Sequence, residues 1–404
     1  MSRTRSQPTS DVDLFGHDLL EDPYPVLREL RDLGGAVHMR EHDYYLLSRH
    51  ADVRAALGDW RTFSSARGTG LEARLNAGSL GGLLSSDPPD HDLLRSVLSE
   101  QVGPRGVNRM RGAIEQRAVE LVDAVVPLGT FDAVPALAQR FPVEVVADLI
   151  GVPQEGRENL IPGADAAFAT FGPLTPELEG RLPFLFSFLE WIAQVGTRDR
   201  LREGSWGAAV LDAVDEGRIP ADKAFPLMRA FLVAGMDTTV NGIGSMLRIF
   251  AERPDVWDEI REDPRLGRAA FEETLRLEAP VQAFFRETTC EVEIDGTTIP
   301  ADSRVCLHFG SANRDERRFA DPDRFDLHRG ALDHLAFGNG VHGCAGQGLA
   351  RLEARAIVQA LAGRVARFAP AGEPVRHYNP VLRGLQELPV TVEPRPRTEP
   401  APTP

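Results

Sequence analysis

In "DPYPVLRELRDLG" the apolar residues recur at three- and four-residue steps, which predicts a short helix. "VHMREHDYYLLS" then predicts a strand pair and "ADVRAALGD" a second helix, so residues 21 to 65 form a small mixed region. From about 88 to 280 most segments carry helical spacing broken by Gly or Pro, as in "MRGAIEQRAVELVDAVV" and "AQRFPVEVVADLIGV". The stretch from 225 to 251, "FPLMRAFLVAGMDTTVNGIGSMLRIFA", is long enough to cross a domain. Arg229, Asp237 and Asn241 interrupt any membrane-like run in it, so it predicts a buried central helix. Residues 286 to 310 switch to short β-like runs, "CEVEIDGTTIP" and "SRVCLHF", the first carrying the Asp-Gly signal of a hairpin turn. The expected fold class is mainly α with a smaller β region.

No composition break marks a linker, which predicts a single domain over 15–393. Residues 1–14, in which "MSRTRSQPTSDVD" has no following apolar core, are expected to be a disordered tail rather than a signal or anchor. The Pro-rich 394–404 is expected to be disordered as well. A formal charge of −15 argues against nonspecific nucleic-acid binding, because phosphates need a basic counter-surface. Three cysteines, Cys290, Cys306 and Cys344, are too few for a disulfide framework or a paired Cys-x-x-Cys zinc site. A cytoplasmic protein without membrane attachment is expected.

The chemistry concentrates in three places. "FGNGVHGCAGQG", residues 337 to 348, sets one cysteine among five glycines. Alone, such a loop reads as an inert cysteine in a turn or as a phosphate cradle. A phosphate cradle would continue with Lys and Ser or Thr, whereas this one continues Gln347, Gly348, Leu349 and Ala350. "EETLR" places Glu273 and Arg276 one helical turn apart, and "AGMDTT" places Asp237 beside Thr238 on the central helix.

Taken together these resemble the signatures of the cytochrome P450 family: a Glu-x-x-Arg pair, an acid and alcohol on a central helix, and Phe-Gly-x-Gly-x-His-x-Cys-x-Gly before the last long helix. The likeness runs from about residue 15 to residue 393. It implies a fold with haem between the central helix and the helix after the cysteine loop. It also implies haem b (iron protoporphyrin IX), with Cys344 as the metal ligand and Phe337, Gly338 and Gly346 shaping the loop around it. A cysteine thiolate donates the electron density that favours O–O cleavage, and a helix starting after Cys344 adds a favourable dipole. The resemblance further assigns His91, Arg95, Arg286 and His342 to the haem propionates. Glu273, Arg276 and Arg324 become a structural triad, and Asp237 and Thr238 a proton relay for oxygen activation. Gly235 and Thr238 are expected to let the central helix open locally.

Four segments narrow the likeness: "EGRENLIPGADAAFATFGP", "FEETLRLEAPVQAFFRETT", "GSANRDERRFADPDRFD" and "NPVLRGLQELP" are similar to bacterial members that oxidise para-substituted benzoic acids, including by O-demethylation. On that likeness Phe168, Phe171, Ala234, Val281 and Phe284 line a flat pocket over the haem. The chain departs from that group at Ala230 and Val233, where serines are expected, and "EARLNAGSLGG" lacks a basic stretch. A buried anion needs paired donors, so the departures favour a neutral methoxylated or alkylated ring over a benzoate. No flavin or nicotinamide fingerprint is visible, which points to an iron–sulfur ferredoxin with an NAD(P)H-dependent ferredoxin reductase as electron source. Arg95, Arg105, Arg109, Arg111, Arg351 and Arg355 are expected to form its basic docking patch. The rival readings are oxidation of another small hydrophobic metabolite such as a terpenoid or polyketide, a peroxide-driven enzyme, and a non-catalytic haem-thiolate protein.

Overall fold

The structure is a computed structural model that describes residues 7–396. Its long axis is the helix Ala224–Glu252, 29 residues or about 44 Å at 1.5 Å per residue. From Met236 onward nearly every residue of this helix is buried, because other elements pack around all its faces. Arg140–Ile150 and Leu160–Ala169 lie along it, and Gly267–Glu278 crosses it at Gly242. A Cβ on Gly242 would sit 3.2 Å from the Phe271 ring, so the glycine sets how near the two helices come. The main core joins these helices to Pro104–Val125 and Gln347–Ala362.

The β region covers one flank. A six-stranded sheet runs in the order Thr9–Ser10, Val37–Met39, Tyr44–Leu47, Arg304–His308, Ala283–Thr288 and Phe63–Ser64. Val37 lies opposite Leu46, and Ala283 opposite His308. The Asp-Gly hairpin forms as expected between Val292–Ile294 and Thr297–Ile299, with Asp295 and Gly296 both at positive φ (48° and 78°).

Two parts of the β region were not predicted. Val365–Pro370, Pro389–Pro394 and Thr130–Asp132 form a three-stranded sheet, and Val375–Tyr378 pairs with Arg383–Glu387. This second hairpin crosses the central helix so closely that a Cβ on Gly384 would meet Asn241 Oδ1 at 1.8 Å. Glu278 ties it down: burial opposes ionisation there, but Arg248, Arg383, Arg314 and Arg376 hold the carboxyl at about 2.

The expected boundary at residue 15 is too late. Thr9 and Ser10 pair in parallel with His38 and Met39, and Leu14 is buried, because the start of the sheet offers them a free edge. The last strand ends at Pro394. The remainder of the two expected tails, 1–6 and 397–404, lies outside the described residues.

Candidate functional site

Gly338 and Gly340, both at φ +69°, fold the cysteine loop back on itself. Gly340 also passes Leu57, where a Cβ would lie 2.3 Å from the backbone oxygen, so a side chain is excluded on two grounds. The Cys344 N–H donates to the Phe337 carbonyl at 2.8 Å. Burial pushes the Cys344 thiol up in pKa, while the N–H groups of Gly346 and Gln347 and the charges of Arg95 and Arg351 pull it back. The helix Gln347–Ala362 begins directly after. Among the described residues no cluster of three or more His, Cys, Asp or Glu could hold a bare metal ion. A lone buried sulfur with N–H groups and arginine charges aimed at it suits a metal that brings its own macrocycle.

Beside the sulfur, four side chains from three elements converge: His91 and Arg95 from the helix Asp90–Val102, Arg286 from the strand Ala283–Thr288 and His342 from the cysteine loop. The His91 and His342 rings lie 4.5 Å apart, edge to face. Arg95 Nη2 donates to the Gly343 carbonyl at 2.6 Å, and the buried Arg286 donates through Nη1 to the Phe285 carbonyl at 2.7 Å. Burial lowers Arg286 to about 10, against the pull of Asp87. Burial, then Arg286, His91 and Arg95, lower His342 to about 3. Yet the Nε2 atoms of both histidines are buried without a partner. A pocket crowded with arginine charge, in which two imidazole nitrogens are still unpartnered, fits the carboxylates of a propionate-bearing group.

On the central helix the Thr238 hydroxyl donates to the Ala234 carbonyl at 2.9 Å. The helix stays continuous from Ala224 to Glu252, which corrects the expectation of a local opening at Gly235: the hydroxyl satisfies a carbonyl without displacing the turn. Asp237 is buried, its Oδ2 unpartnered. Burial and then Asp165 raise its pKa to about 7, while His377 and Arg181 oppose.

Sequence reasoning missed the cluster that supplies these charges. Asp165 Oδ1 meets His377 Nε2 at 2.8 Å, Asn379 Nδ2 at 2.7 Å and Arg181 Nη1 at 3.2 Å. Its members come from two helices and the unpredicted hairpin, so no local spacing announces it.

Phe168 and Phe171 meet edge to face at 5.9 Å, Phe171 and Phe284 at 5.2 Å, and Phe284 and Phe309 at 6.0 Å. Val281 packs in the same cluster and bridges to Leu382. Phe309 and Leu382 pack in this cluster too, beyond the residues expected from the sequence. Ala234 is exposed one turn before Thr238, and Val233 packs on the aromatic group.

The triad needs a correction. Arg276 grips Glu273 through Nε to Oε2 (2.8 Å) and Nη2 to Oε1 (2.9 Å), both residues buried. The further guanidinium on Glu273 belongs to Arg329, Nε to Oε1 at 2.9 Å. Arg324 lends its carbonyl to both arginines while its side chain is exposed, because the turn from Asp321 points its backbone inward.

The basic patch is smaller than expected. Arg355 is paired with Glu115 at 2.7 Å, Arg111 approaches the same acid at 4.0 Å, and Arg351 is bound to Glu272. Arg105 and Arg109 are exposed with no ion pair among the described residues.

Glu353, on the helix after Cys344, is fully buried with neither oxygen partnered, and burial holds its pKa well above the ordinary range. It is therefore protonated in the fold but ionised in the unfolded chain above about pH 4.3. Its contribution to stability is present below that value and falls by about 1.4 kcal/mol per pH unit as pH rises towards the folded pKa. Asp237 adds a similar slope that stops at about 7. The stability gain from Glu353→Gln, measured by denaturant unfolding, should grow as pH rises above about 4.3; a gain independent of pH would contradict this.

A sulfur donor flanked by an anion-seeking cradle, under a central helix with a buried acid and an alcohol, defines a haem-thiolate protein. The cytochrome P450 family profile matches residues 226–362. Over 393 residues the chain is 40% identical to cytochrome p450 CYP199A2 of Rhodopseudomonas palustris (strain ATCC BAA-98 / CGA009), covering 96% of this chain and 95% of that one. The solved structure of epothilone D-bound cytochrome P450epoK superposes with a TM-score of 0.86 at 27% identity, over 96% of this chain and 100% of that one. Cytochrome P450 CREJ in complex with (4-ethylphenyl) dihydrogen phosphate gives 0.83 at 25% identity, over 93% and 98%. The chain belongs to the cytochrome P450 family. It is a haem b monooxygenase that uses O2 and electrons from redox partners.

Proposed function

We propose that this P450 oxidises a small neutral aromatic substrate, by hydroxylation or by oxidative O-demethylation of a methoxylated ring. The observation that carries the reading is the edge-to-face set Phe168, Phe171, Phe284 and Phe309, a surround suited to a flat ring. Likeness to CYP199A2, and to a P450 solved with (4-ethylphenyl) dihydrogen phosphate, supports the aromatic ring, while the preference for a neutral one rests on the charges around it. The basic stretch expected to help hold a carboxylate is absent, and Arg229, which the chain shares with the benzoate-oxidising group, is already engaged. Arg229 is partly buried, which lowers its pKa, and its Nη1 already donates to the Gly78 carbonyl at 3.2 Å. Ala230 and Val233 bring no hydroxyls to help it.

In this reading Cys344 would hold the haem iron, and His91, Arg95, Arg286 and His342 would hold the propionates. Bound haem supplies the oxygen-activating chemistry. The protein's own part is proton handling and exclusion of water. Asp237, with a pKa of about 7, can carry and release a proton at neutral pH. Thr238 spends its hydroxyl hydrogen on Ala234, leaving its oxygen as an acceptor. A non-catalytic haem-thiolate protein has no use for this pair.

Electrons would come from an iron–sulfur ferredoxin and its NAD(P)H-dependent reductase, docking near Arg105 and Arg109. Three free cysteines suit the reducing cytoplasm. No described helix is long and apolar enough to cross a membrane.

Optical titrations of the holoenzyme with methoxybenzenes, alkylphenols and their para-carboxylated counterparts test the substrate class. The neutral rings should bind more tightly; tight benzoate binding with no response to neutral rings would overturn it.

A further inference from the structure

The acid next to Glu273 has a task of its own, and the inference rests on Cys344 being the iron ligand. Glu272 is buried, 2% exposed. It accepts from Arg351 twice, Nε to Oε1 and Nη2 to Oε2 (3.1 Å), and Oε2 also meets His334 Nε2 at 3.0 Å. His334 Nδ1 accepts the Ala336 N–H at 3.2 Å, which leaves the ring proton on Nε2, facing the acid. The carboxylate is thus fixed from two sides.

Arg351 carries that fixation into the cysteine loop. Its guanidinium lies 4.5 Å over the Phe337 ring, and Nη1 donates to Gln347 Oε1 at 2.7 Å. Gln347 Nε2 in turn donates to the Cys344 carbonyl at 3.3 Å, while the Cys344 N–H is held by the Phe337 carbonyl at 2.8 Å. Both polar groups of the Cys344 backbone therefore lead back to one buried carboxylate. Only a planar fork can grip Glu272, cover an aromatic face and reach Gln347 at once.

We propose that Glu272 is a positioning residue for the axial cysteine: by holding Arg351 across Phe337 and Gln347, it keeps the Cys344 loop in the conformation that preserves the sulfur–iron bond. Arg351 is then part of the loop's support rather than a free docking charge.

The test follows the absorption of the sulfur-bound carbon monoxide complex over time in reduced holoenzyme, without any redox partner. Removing an outer partner of a metal ligand typically weakens the site by at least tenfold, so Glu272→Gln should lose this band about tenfold faster than wild type. Arg351→Lys should do the same, since it keeps the charge but not the fork. Arg268→Gln should match wild type, because Arg268 is exposed and lies 4.0 Å from Glu272. If Glu272→Gln fails to fold, Arg351→Lys alone decides. Wild-type kinetics in either variant would overturn the proposal. A wild-type protein with no such band would instead overturn the assignment of Cys344.

Discussion

Arg276→Ala is expected to cost about 3–5 kcal/mol of stability, the penalty for stranding one member of a buried ion pair. Arg276 is fully buried and does more than neutralise Glu273. It also donates to the carbonyls of Asn313 (2.9 Å), Pro322 (2.7 Å) and Arg324 (3.2 Å), so one guanidinium joins the Gly267–Glu278 helix to the chain leading into the cysteine loop. Its loss leaves Glu273 with Arg329 and the Asp326 N–H and opens three carbonyls at once. Arg324→Ala is the informative contrast. Its side chain is exposed and only its backbone takes part, so its cost should stay within about 0.5 kcal/mol. Denaturant midpoints of the two holoenzymes check both; equal, large losses would restore Arg324 to the triad.

Asp237→Asn should lower oxygen-dependent turnover by about a hundredfold, the scale of a positioned proton donor. The buried Oδ2 has no partner, so amide replacement keeps shape and polarity while removing the exchangeable carboxyl proton. Substrate-induced spectral shifts should persist, because the aromatic pocket is untouched. The wild-type pH dependence of turnover should carry a limb near 7, set by burial and Asp165 against His377 and Arg181, and the variant should lack it. Unchanged turnover in Asp237→Asn would remove the acid from the relay.

What could be read from the sequence divides along a physical line. The central helix was legible because 27 consecutive residues, 225–251, combine apolar bulk with few charges, and the structure extends it by one residue at each end. The Asp-Gly hairpin was legible because its turn chemistry is local. The strands after residue 365 were not, since "VARFAP" and "PVTVEP" gain their pairing only from partners distant in sequence. The same distinction separates the site residues. Cys344, with its glycines, announces itself within twelve positions, and Glu273 with Arg276 within four.

Contacts assembled from afar stayed hidden. Arg329 reaches Glu273 across 56 residues, which nothing in "DPDRFDLHRG" distinguishes from Arg324. Asp165 and His377 are 212 apart, and Glu272 and Arg351 are 79 apart. Arg351 read as a surface charge because its helix has regular spacing, whereas the fold pins it over Phe337. Predicting the helix opening at Gly235 failed for a related reason: the glycine permits a break, but the packing on both sides rewards continuity.

The most direct test of the whole account is the carbon monoxide spectrum of the reduced protein, recorded for wild type and for Cys344→Ser. The account predicts the red-shifted absorption of a sulfur-ligated haem in the first and its disappearance in the second. A spectrum without that band in wild type, or one that survives the substitution, would contradict it.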